Sequence, residues 1–167
     1  MTGKRASQPR DKVSQGQMSV VQVEDGPERY RLCELVLRDD LPEWFGIEEA
    51  TAAYIRDVAE LPTFRIGDDA LLSLKLHTPQ ATEVYVMGVR RARHRQGLGR
   101  TLLHAAEAYL SACFVEYLQV KTLGPSDPDA GYAKTRSFYL AQGFAPLEEI
   151  HGLWEHNPPC LLLVKRL

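Results

Sequence analysis

Nothing in the sequence is apolar for long enough to cross a membrane. The longest apolar runs are short pieces such as Cys160 to Val164, far below the ~18 residues a span needs. The opening residues hold no apolar core of the signal-peptide kind. Cysteine is scarce: Cys33, Cys113 and Cys160 lie far apart and form no CxxC pair. That excludes a disulfide frame and a zinc site, and it fits reduced thiols in a cytoplasmic protein. A strong excess of charge is also missing. Twenty Lys and Arg against 22 Asp and Glu leave a net charge of −2, which argues against general binding to nucleic acid or a membrane surface. There is no internal repeat and no low-complexity block.

What remains is an ordinary globular chain. Its 167 residues correspond to about one domain, large enough to bury roughly 70% of the unfolded surface without metal or disulfides. The first 17 residues, MTGKRASQPRDKVSQGQ, set Lys4, Arg5, Arg10 and Lys12 against Asp11 and lack periodicity. They read as a disordered polar tail, with Met18 a candidate internal start and residues 18–167 as one folded domain.

From Ser19 onward strands and helices alternate. Strands are expected near Val20 to Val23, Phe64 to Ile66, Leu71 to Leu76, Glu83 to Val89, Val115 to Lys121, from Phe144, and Leu161 to Lys165. Helices are expected from Pro27 through Leu37, Glu48 to Leu61, Leu98 to Cys113 and Tyr132 to Gln142, with Gly143 at the C′ position of the last. Leu98, Leu102, Ala105, Ala106, Tyr109 and Cys113 would form the buried stripe of the third helix. The alternation predicts an α/β or α+β sandwich.

The most informative stretch is Val84 to Leu103, VYVMGVRRARHRQGLGRTLL. A strand ends, an arginine-rich turn follows, and Gly97-Leu98-Gly99 opens a helix. Unpaired amides at a helix N-terminus attract anions, and glycine lets the backbone approach a phosphate closely. Five arginines between Arg90 and Arg100 would add positive potential. A Walker loop is excluded, because no lysine follows the glycines. The Rossmann fingerprint fails too, because Leu102 stands where its third glycine belongs. Two readings stay open on the residues alone: a phosphate-binding turn, or a basic surface turn before a Gly-rich helix start.

His94-Arg95-Gln96-Gly97-Leu98-Gly99, continued by Arg100, Thr101, Leu102 and Leu103, resembles the [Q/R]xxGx[G/A] signature of the GNAT superfamily of N-acetyltransferases. His94 replaces the usual Gln or Arg. Downstream, Phe138-Tyr139-Leu140-Ala141-Gln142-Gly143-Phe144 resembles the family's second signature, at a typical spacing from the first. Tyr132 stands where many members carry a cofactor-binding Asn, so that contact is not carried over. The resemblance covers about Val20 to Leu167.

The resemblance implies a central mixed, mostly antiparallel sheet flanked by helices on both faces. It implies acetyl-CoA as co-substrate, no metal, and transfer of the acetyl group to a primary amine of a small molecule or protein in a ternary complex. A homodimer stays open. Backbone groups of Met87, Gly88 and Val89 would pair with the pantetheine arm and polarise the thioester, while His94 through Thr101 would hold the pyrophosphate. Tyr139 matches the family's general acid for the leaving thiolate, against a simpler role as a buried core tyrosine. Glu83, fourteen residues before Gly97, is the candidate base, against a solvent-facing strand residue. Strand alternation would put Glu83, Tyr85, Met87 and Val89 on one face. The acceptor would bind between Leu41–Gly46 and His151–His156, where Trp44, Trp154 and nearby acids such as Asp39 and Asp40 suit a cationic amine. The other histidines show no metal-ligand spacing. The alternative from another class is an acyl-CoA-binding module with little catalysis. Binding to nucleic acid through Arg90 to Arg100 is disfavoured, because no aromatics interleave the arginines.

Overall fold

A computed structural model describes residues 19–43, 47–156 and 158–167. The expected tail, the Met18 start and the tryptophan of the first acceptor loop, Trp44, lie outside the described residues. Seven strands form one sheet in the order β1-β2-β3-β4-β5-β7-β6. They are β1 (Val21–Val23), β2 (Thr63–Ile66), β3 (Ala70–Thr78), β4 (Ala81–Val89), β5 (Tyr117–Leu123), β6 (Ala145–Ile150) and β7 (Cys160–Arg166). Every neighbouring pair is antiparallel except β4 with β5.

Four α-helices cover the sheet: α1 (Gly26–Glu34), α2 (Glu48–Val58), α3 (Leu98–Ala112) and α4 (Ala130–Ala141). Local chemistry sets their ends. Asp25 caps α1 by accepting from the Glu28 amide at 2.9 Å, with Pro27 in the first turn. Asp129 caps α4 through the Tyr132 amide at 3.0 Å. At the other end of α4, Gly143 sits at φ +88°. Its amide bonds to Leu140 O, and the Phe144 amide bonds to Tyr139 O, which closes the helix in a Schellman turn.

The sheet separates two apolar cores. One joins α3 and α4 to Phe64, Leu72, Leu74, Val84, Leu118, Val120 and Leu163. The other joins α1 and α2 to Leu71 and Val86. α3 lies on the sheet through Leu98, Leu102, Leu103, Ala106 and Leu110. The expected stripe is therefore rotated: Ala105 and Tyr109 are half-buried and Cys113 is exposed. Leu103 and Leu110 are larger apolar groups, and burying them removes more surface from water.

α1 does not end in a loop at Leu37. It continues as a π-helical stretch from Leu35 to Asp40. Arg38 in that stretch bonds to Glu34 at 2.8 Å and to Glu48 at 2.6 Å, tying the end of α1 to the start of α2. The stretch lies hard against β4. A Cβ on Gly88 would meet Val36 Cγ1 at 2.6 Å, so glycine is required there for close approach of helix to sheet.

Candidate functional site

Two features of β4 organise the site. The first is a bulge. Ser73 of β3 pairs with Val86 and Leu74 with Val84, which leaves Tyr85 as an extra residue. The bulge breaks strict alternation. Glu83 and Tyr85 face α1 and α2, while Met87 and Val89 face α3 and α4. The expectation that these four share one face is thus corrected, because an inserted residue shifts every later side chain to the opposite face.

The second feature is a parting of strands. β4 pairs with β5 only at Ala81, Thr82 and Glu83. Beyond Glu83 the β5 side of β4 has no ladder partner among the described residues, although β5 itself stays paired to β7 through Leu123. Met87, Gly88 and Val89 border this gap, with free backbone positions along one edge.

The turn that follows holds itself together. Arg91 to Arg93 form a 3₁₀ turn, His94 Nε2 lies 2.6 Å from Val89 O, and Gln96 Nε2 donates to Ala92 O at 3.2 Å. Arg95 adopts φ +60° and Gly97 φ +84° immediately before α3. The first helical bond runs from the Thr101 amide to Gly97 O at 3.0 Å, and the Thr101 hydroxyl donates to the same oxygen at 3.1 Å. The amides of Leu98, Gly99 and Arg100 therefore lack partners within the helix and point out of its N-terminus. The Leu98 side chain is buried in the core, so this residue offers only backbone to a ligand.

The arginines do not act together. Arg91 forks onto Glu43 at 2.7 Å, and its amide bonds to Asp40. Arg90 lies 3.7 Å from Asp40 and Arg93 3.6 Å from Asp69. Three of the five expected cations are thus compensated inside the protein. Arg95 and Arg100 make no ion pair among the described residues. Arg95 joins Lys134, Ala133, Ser137 and Phe138 in lining a groove of about 430 Å³ between the turn and α4. Phe138 also packs on Gly99, where a Cβ would come within 3.4 Å of its ring.

Tyr139 lies one residue further along α4, inside the α3/α4 core. Its ring meets Phe138 and Phe144 edge-on, at centroid distances of 5.2 and 5.4 Å. Burial pushes its hydroxyl pKa well above the ordinary phenol value.

On the opposite face lies a cavity of about 300 Å³, with walls from α2, β3, β4, β5 and the β6–β7 connection. Glu83 sits at its floor with its side chain 8% exposed. One carboxylate oxygen, Oε2, receives Lys121 Nζ at 2.8 Å and lies 2.5 Å from His77 Nε2. His77 is the more accessible partner, at 33%. Tyr85 donates to Asp57 Oδ2 at 2.7 Å and packs against Tyr54, with ring centroids 5.1 Å apart. Burial raises the pKa of both phenols, and for Tyr85 the bond to Asp57 raises it further.

Sequence reasoning did not single out His77, Lys121, Lys75 or Tyr54. His77 and Glu83 flank the Pro79-Gln80 turn of a hairpin, whose Thr78 hydroxyl accepts from the Gln80 and Ala81 amides. That hairpin was the available signal for His77. Lys121 reaches the site only because β5 lies parallel to β4. Asp40 and Glu43, expected near an acceptor, bind the arginine turn instead of facing the cavity. Trp154, from the second expected acceptor segment, lines the cavity.

No family model matches the sequence, and no curated protein matches it. Solved structures do resemble it. Ard1 from Thermoplasma volcanium superposes with a TM-score of 0.66 at 10% identity, covering 89% of this chain and 97% of that one. A GNAT family acetyltransferase from Elizabethkingia anophelis, with acetyl-CoA bound, gives 0.65 at 16% identity over 89% and 97%. An aminoglycoside 6′-acetyltransferase type Ii gives 0.68 at 16% over the same shares. The open, mostly antiparallel seven-stranded sheet with its four α-helices has the GNAT acetyltransferase fold.

Proposed function

We propose that the chain is an acetyl-CoA-dependent N-acetyltransferase, moving the acetyl group to a primary amine of a small molecule or protein in a direct ternary complex. The observation that carries this reading is the parting of β4 from β5 beside the open N-terminus of α3, with a separate polar cavity across the sheet. The α3/α4 side fits the cofactor. The amides of Leu98, Gly99 and Arg100 with the Arg95 and Arg100 side chains fit a pyrophosphate, and the unpaired edge at Met87, Gly88 and Val89 fits the pantetheine amides.

Acetyl-CoA supplies a thioester. The neutral amine attacks its carbonyl carbon, the C–N bond forms, the C–S bond breaks, and the products are an N-acetyl amine and the CoA thiol. The protein handles the protons. An alkylammonium must lose one before it can attack. Glu83 is buried and already holds Lys121, so it works through His77, the partner that reaches the cavity. A backbone amide among Met87 to Val89 steadies the developing oxyanion. Tyr139 has a hydroxyl that burial makes a weaker acid than a thiol. It therefore acts as a hydrogen-bond donor to the leaving sulfur, and the proton itself follows from solvent.

Direct transfer fits the two buried cysteines. Burial holds the Cys160 thiol at about 11 and the Cys33 thiol at about 12, so neither is a thiolate near neutral pH.

Calorimetric titration with acetyl-CoA, followed by a screen of amines for thiol release, tests the proposal. One-to-one binding and amine-dependent thiol release are expected. Absence of acetyl-CoA binding overturns it. Glu83→Gln and His77→Gln should each lower kcat by a factor on the order of 10².

A further inference from the structure

We infer that the acceptor is a small amine carrying an anionic group in the same molecule, a carboxylate or a phosphate, and not a polycation. The inference rests on the acetyltransferase reading and deepens it by naming a substrate class.

The argument starts from how charge is distributed in the cavity behind β4. Lys75 and Glu83 stand directly opposite each other in the β3–β4 ladder, on the same face of the sheet. Facing residues of opposite charge at this spacing ordinarily pair. Here they do not. Glu83 Oε2 is occupied by Lys121 and His77. The Lys75 ammonium lies instead over the Tyr85 ring, 4.6 Å from its centroid. No carboxylate comes within ion-pair distance of it among the described residues. The acid on the neighbouring helix, Asp57, is already engaged by the Tyr85 hydroxyl at 2.7 Å, with Arg56 Nε 3.7 Å from its other oxygen.

The cavity thus presents two unlike poles that face each other. One is the Glu83–His77 edge, which suits an amine. The other is an uncompensated ammonium on an aromatic wall, which suits an anion. Opposed strand residues lie about 5 Å apart at Cα, the scale of one amino-acid-sized molecule. A cavity of about 300 Å³ accommodates such a molecule, with Ala50, Ala53 and Trp154 for its apolar part.

A polycation meets the reverse situation. Its second ammonium would approach Lys75 or Lys121, and like charges at close range are repelled. The acids that could have drawn it in, Asp40 and Glu43, are held by the arginine turn. Amine attack on the thioester is unchanged by this choice: the C–N bond forms, the C–S bond breaks, and the amine proton leaves by the His77 side.

The test is initial-rate thiol release at saturating acetyl-CoA with matched acceptors: phenylalanine against phenylalanine amide, O-phosphoethanolamine against ethanolamine, and spermidine as the polycation. In at least one pair the anionic member should show kcat/KM higher by about tenfold or more, the scale of one charge-assisted contact. The pair with the larger ratio identifies the anion. Lys75→Met, which keeps the apolar stem over Tyr85, should bring that ratio close to one while calorimetric affinity for acetyl-CoA holds. Lys75→Arg should preserve the ratio. Equal or faster turnover of the uncharged-end member in both pairs, or of spermidine than of every anionic acceptor, overturns the inference while leaving acetyl transfer standing. So does a ratio that survives in a folded Lys75→Met protein. Acetyl-CoA binding with no thiol release from any amine overturns both readings.

Discussion

On the α3/α4 side of β4 the turn before α3 presents backbone amides, while on the α1/α2 side the cavity is made of side chains drawn from α2, three strands and a loop. The first depends on a chain reversal with two positive-φ positions, Arg95 and Gly97, and on amides left over where a helix begins. All of its parts lie within about one short segment. The second needs His77, Glu83 and Lys121 to converge from three strands, and it needs the Tyr85 bulge to turn Glu83 and Met87 to opposite faces. A backbone site tolerates changes of side chain and fails when a backbone constraint is violated. A side-chain site should show the converse pattern, and that contrast can be pressed experimentally.

The largest effect is expected at Gly97. Gly97→Glu places a side chain at φ +84° and a negative charge beside the helix N-terminus, so acetyl-CoA affinity should fall by at least ~100-fold in calorimetry. Unchanged affinity in a folded variant would remove the phosphate assignment from this turn.

Tyr139→Phe follows. It keeps the ring contacts with Phe138 and Phe144 and removes the donor. Single-turnover rates should drop by a factor of about 10–100, with acetyl-CoA affinity held. A full rate would leave Tyr139 as a core tyrosine only.

Gly88→Ala separates packing from backbone contact at one residue. The new methyl group would press on Val36 from the α1 side, so stability should fall by about 1–3 kcal/mol in denaturant unfolding. Affinity for acetyl-CoA, measured on the folded protein, should hold, because the methyl group enters the face away from the cofactor groove. A loss of affinity without a loss of stability would reverse that placement.

The smallest effect concerns acid. The Glu28 carboxyl is held at about 2, chiefly by its bonds to Arg31 and Arg65, which link α1 to β2. A carboxyl whose pKa is lowered in the folded state stabilises it above the unfolded value, and that contribution is lost as pH falls through the folded value. Unfolding free energy should therefore decline between about pH 4.5 and 2, and Glu28→Gln should shallow that slope. Because the ion pairs are exposed, the change should be slight and should shrink in high salt. A slope identical in the variant would detach it from Glu28.

The strand from Glu83 was legible because β-branched and aromatic residues cluster there, and those around Phe64, Leu71 and Leu161 as short apolar runs between turn residues. The turn proposed to hold the cofactor stood out because its glycines and the Tyr139 to Phe144 segment sit in one order along the chain. The buried face of α3 was misplaced by part of a turn, since Leu103 and Leu110 fit nearly as well as Ala105 and Tyr109 until the sheet supplies a surface to bury against. The five arginines looked alike in sequence. Their division into paired and unpaired groups required Asp40 and Glu43, some 50 positions away, and Asp69.

The sequence by itself determined the alternation of elements, the end of α4 at Gly143 and the glycine-rich start of α3 at Gly97. Each rests on interactions within a few residues, and short-range stereochemistry is encoded locally. Only the tertiary structure decided the π-helical continuation to Asp40, the bulge at Tyr85, the parting of β4 from β5 and the assembly of His77, Glu83, Lys121 and Lys75 around one cavity. Those depend on register between strands distant in sequence and on helix-to-sheet packing. The free energy that selects them belongs to contacts that no single segment contains.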